Sequence, residues 1–270
     1  MGSGGRLTTQ GLHYECIGRS DRPPLLLLHG FLGSGSDWDA LVDHFADQFY
    51  CITVDLPGHG QSVECVDPSL YSFLGARDAI VSIVDRLHVR NGYLIGYSMG
   101  GRLALSVAIH APGLFAHVVL ESSSPGLKTP IDRAARNLQD DEVASEIESI
   151  SFPAFLDRWY SQPLFSSLQA RPDLLRWLKT TRLCQSPDEL ARALRGLGIG
   201  RQPSYWDRLS RMNVPLLLVT GELDQKYIRI GENMASLCKE ARTAIVPGAG
   251  HNTRLENPVA FIGVVDSFFE

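Results

Sequence analysis

The sequence lacks the cysteine patterns that build disulfide frameworks or metal sites. Its five cysteines, Cys16, Cys51, Cys65, Cys184 and Cys238, are odd in number and widely spread. They form no C-x-x-C pair and no Cys/His cluster of ligand spacing, so free thiols are expected and no metal or cofactor is. Long apolar runs are also missing. No uncharged apolar stretch of about 18 residues occurs, and the first twenty residues hold no apolar segment of roughly 7–15 residues, the length of a secretory signal core. A soluble, cytoplasmic protein of a reducing compartment is expected, with no membrane partner. The opening MGSGG reads as a flexible terminus or an expression remnant. Runs of one charge are absent too: 25 Lys and Arg against 30 Asp and Glu give a net charge of −5. No footprint for nucleic acid or an anionic membrane follows from that balance, so any anion binding must be local. There are no internal repeats or low-complexity tracts.

What is present suits one large α/β domain, since 270 residues with 44% hydrophobic content are enough for a single sizeable core. Short apolar runs at 25–28, 51–54, 93–95, 117–120, 216–219 and 243–246 read as strands. Most are followed by a glycine-rich turn and a helix-like segment, covering 38–46, 71–87, 101–110, 228–238 and 258–269. That alternation predicts a mostly parallel sheet with helices on both faces. The rhythm breaks over 127–205, rich in Arg, Asp, Glu and Leu at helical spacing and without a strand-like run. This segment is expected to be a helical lid inserted into a core made of 1–126 and 206–270. It should cover the carboxyl ends of the strands, where open α/β sheets bind ligands.

The chemistry is concentrated at GYSMGG, residues 96–101, directly after the strand-like YLI. A G-x-S-x-G element between strand and helix holds its serine in a strained turn, projecting from the top of the sheet. Ser98 is therefore the candidate nucleophile or base. A serine hydroxyl needs an imidazole oriented by a carboxylate to do either task. Asp224, in LLLVTGELDQK, and His251, in IVPGAGHN, follow in the order Ser, acid, His. Glu222 competes for the acid role but lies two residues nearer the strand end, and Asp224 is preferred. LLLLHGF at 25–31 resembles the oxyanion-hole segment of the α/β-hydrolase fold. There the backbone amides of Phe31 and Met99 would meet negative charge on a carbonyl oxygen. His29 and Asp55 read as loop-fixing groups.

Arg102 narrows the chemistry. Four residues after Ser98 at the start of a helix, it shares the serine's face. A buried guanidinium requires a negative partner, either a protein carboxylate beneath the site or a substrate. In the lid, Arg133 and Arg136, one helical turn apart, and Arg182, near the aromatic cluster Trp159, Tyr160 and Phe165, suggest with Arg102 a pocket for a substrate with several carboxylates.

GYSMGGR, VDLPGHGQS, RAAR, DRWYSQPLF, GIGRQPSYW and GAGHN together resemble the menaquinone and phylloquinone pathway family of 2-succinyl-6-hydroxy-2,4-cyclohexadiene-1-carboxylate synthases, known as MenH. The likeness runs from Leu25 to the end of the chain. It implies an α/β-hydrolase fold turned to elimination, with a small tricarboxylate as substrate and pyruvate expelled. It further implies that Ser98 acts as base, and that the Phe31 and Met99 amides hold an enolate oxygen. Arg102, Arg136 and Arg182 fall at carboxylate-binding positions, and Tyr97, Trp159 and Phe165 at pocket-shaping ones. Arg133 is the alternative to Arg136, and Arg201 in GRQPSYW a further anion contact. The competing readings are a serine esterase or carbon–carbon bond hydrolase for an acidic substrate and, below it, a non-catalytic receptor. Ser98 at the elbow argues against dehalogenases and epoxide hydrolases of this fold, which use aspartate there.

Overall fold

A computed structural model of the chain describes residues 7–9, 11–63 and 67–270. The readings made of Cys65 and of residues 1–5 lie outside the described residues. Cys16, Cys51, Cys184 and Cys238 are free thiols.

Strands β1 Leu7–Thr9, β2 Leu12–Ile17, β3 Pro24–Leu28, β4 Tyr50–Val54, β5 Gly92–Tyr97, β6 Phe115–Glu121, β7 Leu216–Gly221 and β8 Ala241–Val246 form one sheet. Its order is β1-β2-β4-β3-β5-β6-β7-β8. β3 to β8 pair in parallel, while β1 and β2 form an antiparallel edge that the apolar runs did not predict. β2 escapes such a reading because His13 and Glu15 interrupt its apolar residues. The chain runs from β3 to β4 on one side and then to β5 on the other, so the loops after β3 and β5 diverge. That divergence opens the crevice at the carboxyl ends.

The run Leu25 to Leu28 shows why the parallel strands are continuously apolar. Leu26 and Leu28 pack with Ile52, Leu94 and Leu103 on one face, whereas Leu25 and Leu27 pack with Ile95, Val219 and Phe261 on the other. Both faces are covered, so successive side chains meet core in either direction. The helices that cover them include α1 Asp39–Phe45, α2 Phe73–Arg86 and α3 Met99–His110. Five more, α4 Pro130–Ser149, α5 Phe152–Tyr160, α6 Ser166–Gln169, α7 Pro172–Arg182 and α8 Pro187–Leu197, lie between β6 and β7. The rest are α9 Gln225–Ala235, α10 Thr253–Glu256 and α11 Pro258–Phe269. Thr129 accepts the Asp132 amide at the start of α4, the side-chain cap expected of threonine there.

Two helices begin earlier than their apolar periodicity suggests. α3 starts at Met99 because the strained serine turn feeds straight into it. α9 starts at Gln225 because the Asp224 side chain accepts the Tyr227 amide as its N-cap. Between β6 and β7, Phe155, Leu156, Leu178, Leu190 and Leu194 make an apolar cluster that closes over Leu32 from the loop after β3. Ala193 and Leu197 of α8 point instead into the main core, tying these helices to the sheet. No helix among the described residues is long and apolar enough to cross a membrane.

Candidate active site

Ser98 stands between β5 and α3 with φ of 49°, a left-handed conformation that costs a non-glycine residue energy and aims its side chain out of the turn. Neighbouring glycines make the turn feasible. A Cβ on Gly100 would lie 2.2 Å from the Leu28 carbonyl oxygen and 2.3 Å from that of His29, so no side chain fits there.

The serine turn meets two loops from the same sheet edge. His251 Nε2 is 3.1 Å from Ser98 Oγ, and His251 Nδ1 is 2.8 Å from Asp224 Oδ2. An ionised carboxylate only accepts, so Nδ1–H donates to Asp224 and Nε2 is left as the acceptor for the serine proton. Glu222, the competing acid, accepts the Gly248 amide at 2.8 Å and braces the loop after β8. The histidine loop is further held by Glu256, which accepts the Gly250 and Asn252 amides, and by Glu121, which accepts from Thr253 and Arg254.

Phe31 and Met99 border the same cavity, and neither backbone amide donates to a protein acceptor among the described residues. His29 shapes the Phe31 loop: its Nε2 accepts the Leu56 amide at 3.0 Å, so its Nδ1–H donates to the Gly30 carbonyl at 2.7 Å. His59 packs edge-on to Phe31 and donates from Nδ1 to the Pro57 carbonyl. Burial pushes the His59 pKa down to about 3, assisted by neighbouring His29. The unfolded chain binds this proton below about 6.5 and the folded one does not, so stability is expected to fall as the pH drops from there toward 3. Thermal melts between pH 7 and pH 4 check this. His59→Asn, which keeps a donor toward Pro57, should flatten the decline, and an equally steep decline in that variant would contradict it.

The cavity, about 480 Å³, is lined by Phe31, Tyr97, Ser98, Met99 and His251 from the core and by residues of α4 to α8. That volume suits a small-molecule ligand. Trp159 meets Phe31 edge-on at 5.2 Å, and Phe165 meets His251 edge-on at 6.1 Å. Tyr97 and Tyr227 flank the imidazole at 5.5 and 4.7 Å.

The arginines have different surroundings. Arg102, 7% exposed, donates to the Leu197 carbonyl at 2.9 Å and to Gln202 Oε1 at 3.2 Å. Both acceptors are neutral, and among the described residues no carboxylate pairs with it. Burial lowers its pKa to about 10, still far above neutrality, so it stays charged. Arg136 borders the cavity and donates from Nε to Asp140 at 2.7 Å. Arg133 turns instead to the Leu127 and Lys128 carbonyls, away from the cavity, and Arg201 donates to the Arg195 carbonyl on the exposed side. Arg182 also borders the cavity, but both terminal nitrogens are held by Asp37 at 2.6 and 2.8 Å. Against the cost of burial, the Asp37 carboxylate raises the Arg182 pKa. Only its Nε remains buried without a partner.

Asp37, Lys226 and Gln202 escaped sequence reasoning. Asp37 also meets Arg254 at 3.5 Å, whose guanidinium is stacked over Tyr97 at 4.2 Å and Trp38 at 4.5 Å. Lys226 borders the cavity near Arg136, and burial followed by that like charge lowers its pKa. Its position two residues past Asp224, on the first turn of α9, was the available signal. Among the described residues, no three His, Cys, Asp or Glu side chains group to hold a metal ion.

Residues 23–258 match the family model described as the alpha/beta hydrolase fold. A putative 2-succinyl-6-hydroxy-2,4-cyclohexadiene-1-carboxylate synthase of Bacillus subtilis (strain 168) is 35% identical over 271 residues, covering 99% of this chain and 98% of that protein. The synthase of that name from Escherichia fergusonii is 34% identical over 247 residues, covering 91% and 93%. The solved structure of MenH from S. aureus superposes with a TM-score of 0.89 at 32% identity, covering 95% of this chain and 97% of that one.

Proposed function

The chain belongs to the 2-succinyl-6-hydroxy-2,4-cyclohexadiene-1-carboxylate synthase family of the alpha/beta hydrolase fold, and from that premise we propose a carbon–oxygen lyase of menaquinone or phylloquinone biosynthesis. Its substrate is 2-succinyl-5-enolpyruvyl-6-hydroxy-3-cyclohexene-1-carboxylate, and its leaving group becomes pyruvate. The observation that carries the reading is Arg102, a buried cation with neutral partners bordering the cavity of Ser98 and His251. A guanidinium left uncompensated in the protein is compensated by a ligand carboxylate.

The reaction starts with proton transfer. Ser98 Oγ, its own proton drawn toward His251 Nε2, takes the ring hydrogen α to the succinyl ketone, and Asp224 stabilises the imidazolium that results. Charge moves onto the ketone oxygen, where the Phe31 and Met99 amides receive it. The enolate electrons then shift along the ring, the double bond moves, and the carbon–oxygen bond to the enolpyruvyl group breaks. The ring C–H and the C–O bond break, three ring C–C bonds change order, and the departing enolpyruvate takes up a proton at its methylene carbon to become pyruvate, so the proton balance closes and no water is consumed.

Arg102 receives one carboxylate with its full charge, while Arg136, paired through Nε with Asp140, and Arg182, paired with Asp37, offer the other two weaker contacts through their remaining donors. Tyr97, Trp159 and Phe165 shape the apolar walls. Residues 127–205 act as the cap and exclude water, over a core of 1–126 and 206–270. A cytoplasmic location belongs to the same proposal, since a free trianion does not cross a bilayer unaided. The test is to supply the trianionic substrate and follow pyruvate together with the absorbance of the conjugated diene. Equal release of both is expected. No turnover, with rapid hydrolysis of simple aryl esters, would replace this reading with the esterase that the same triad hydrogen bonds also fit.

A further inference from the structure

Residues 200–206, GRQPSYW, carry the chain from α8 back toward the sheet, and three of their side chains are hydrogen-bonded to the core. The Tyr205 hydroxyl is 2.7 Å from Ser106 Oγ, and Trp206 Nε1 donates to the Gly126 carbonyl at 2.8 Å. Those two contacts anchor the segment. Gln202 reaches elsewhere: it is 0% exposed, its Oε1 accepts from Arg102, and its Nε2 donates to the Ser124 carbonyl at 3.4 Å.

A carboxylate of the same length would accept more strongly from Arg102 and make a charge-assisted pair. The molecule uses that solution elsewhere in the cavity lining, where Asp37 holds Arg182. An arginine paired with a carboxylate is fixed in place, but its charge is largely cancelled before a ligand arrives. A carboxamide fixes the guanidinium and leaves its charge in the cavity. We propose that Gln202 is a positioning residue whose neutrality sets specificity, holding Arg102 in the cavity wall while keeping its charge available for a substrate carboxylate. The inference rests on the anionic-substrate reading above and adds to it the group that protects the cation.

Two variants separate neutrality from hydrogen bonding. Gln202→Glu keeps an acceptor for Arg102 and cancels the charge; Gln202→Met removes the acceptor and leaves the charge. Their kcat and KM for pyruvate release are measured beside the unaltered protein, with the dissociation constant of the ring tricarboxylate by calorimetry and the melting temperature. Gln202→Glu should weaken tricarboxylate binding and kcat/KM about 10- to 100-fold, the range of one lost charged hydrogen bond; the melting temperature reports the separate cost of losing the Nε2 donor to the Ser124 carbonyl. Gln202→Met should lower both by less, about three- to tenfold, since one positioning hydrogen bond is lost while Arg102 keeps its charge and its contact with the Leu197 carbonyl.

A glutamate variant that binds within about threefold of the parent, or a methionine variant impaired more than the glutamate one, overturns the proposal. If the glutamate variant does not fold, the methionine variant decides: retention within tenfold supports neutrality, and a larger loss contradicts it. An unaltered protein that binds the tricarboxylate without releasing pyruvate overturns the elimination reading alone, and the binding comparison still tests Gln202. No binding by the unaltered protein overturns both.

Discussion

Ser98→Ala should lower kcat for pyruvate release about 10³- to 10⁴-fold and leave KM nearly unchanged, the expected size of losing a positioned proton-transfer group. The substitution removes one oxygen, 3.1 Å from His251 Nε2, and disturbs neither the cavity walls nor the cations. Ground-state binding therefore persists, while the step that depends on the base slows. His251→Ala should cost a similar factor, and the double variant little more than either alone, because the two groups act as one unit. Alanine tolerates the strained turn no worse than serine, so the melting temperature should hold. Steady-state kinetics with a melt on the same samples check all of this, and a loss of kcat below about tenfold would show that Ser98 is not the base.

Arg102→Met should lower kcat/KM about 100-fold, near the upper end for losing a charged hydrogen bond to substrate. It should do so with a melting temperature equal to or above that of the parent. The two expectations come from one fact. A buried guanidinium held by the Leu197 carbonyl and Gln202 carries the cost of desolvation without a compensating protein carboxylate. Methionine fills much of the same channel and removes that cost, although it leaves two acceptors without their donor. A structural arginine behaves in the opposite way, with stability lost and kinetics kept. Arg182 provides an internal control, since its removal leaves the buried Asp37 with only the longer contact to Arg254 and should lower the melting temperature.

The sequence made legible whatever depends on neighbours in the chain. GYSMGG is read correctly as strand, turn and helix because Gly96 and Gly100 sit two residues on either side of the serine they accommodate. The parallel strands are visible because burial on both faces makes them continuously apolar. The order of Ser98, Asp224 and His251 identifies the three groups that the sheet brings within 3.1 Å of one another in sequence along the relay.

Contacts between distant segments were not legible. Asp37 meets Arg182 across 145 residues, and Gln202 meets Arg102 across 100, with no periodicity in common. An arginine in sequence shows its charge but not whether a carboxylate already cancels it. Arg102, Arg136 and Arg182 are therefore all read as carboxylate-binding, whereas folding leaves Arg102 without a paired carboxylate, pairs Arg136 through Nε with Asp140, and commits most of Arg182 to Asp37. The antiparallel edge formed by β1 and β2 was missed for a similar reason, since its identity comes from pairing with β4 rather than from its own composition.

The central claim is that Ser98 takes a proton from carbon and forms no covalent bond to the substrate. It is tested most directly with substrate deuterated at the ring carbon α to the succinyl ketone, followed by mass spectrometry of product, solvent and protein during turnover. The account predicts a primary isotope effect on kcat/KM, deuterium lost from the product into water, and no mass added to the protein. Deuterium retained in the product, together with an acyl adduct on Ser98, would contradict it.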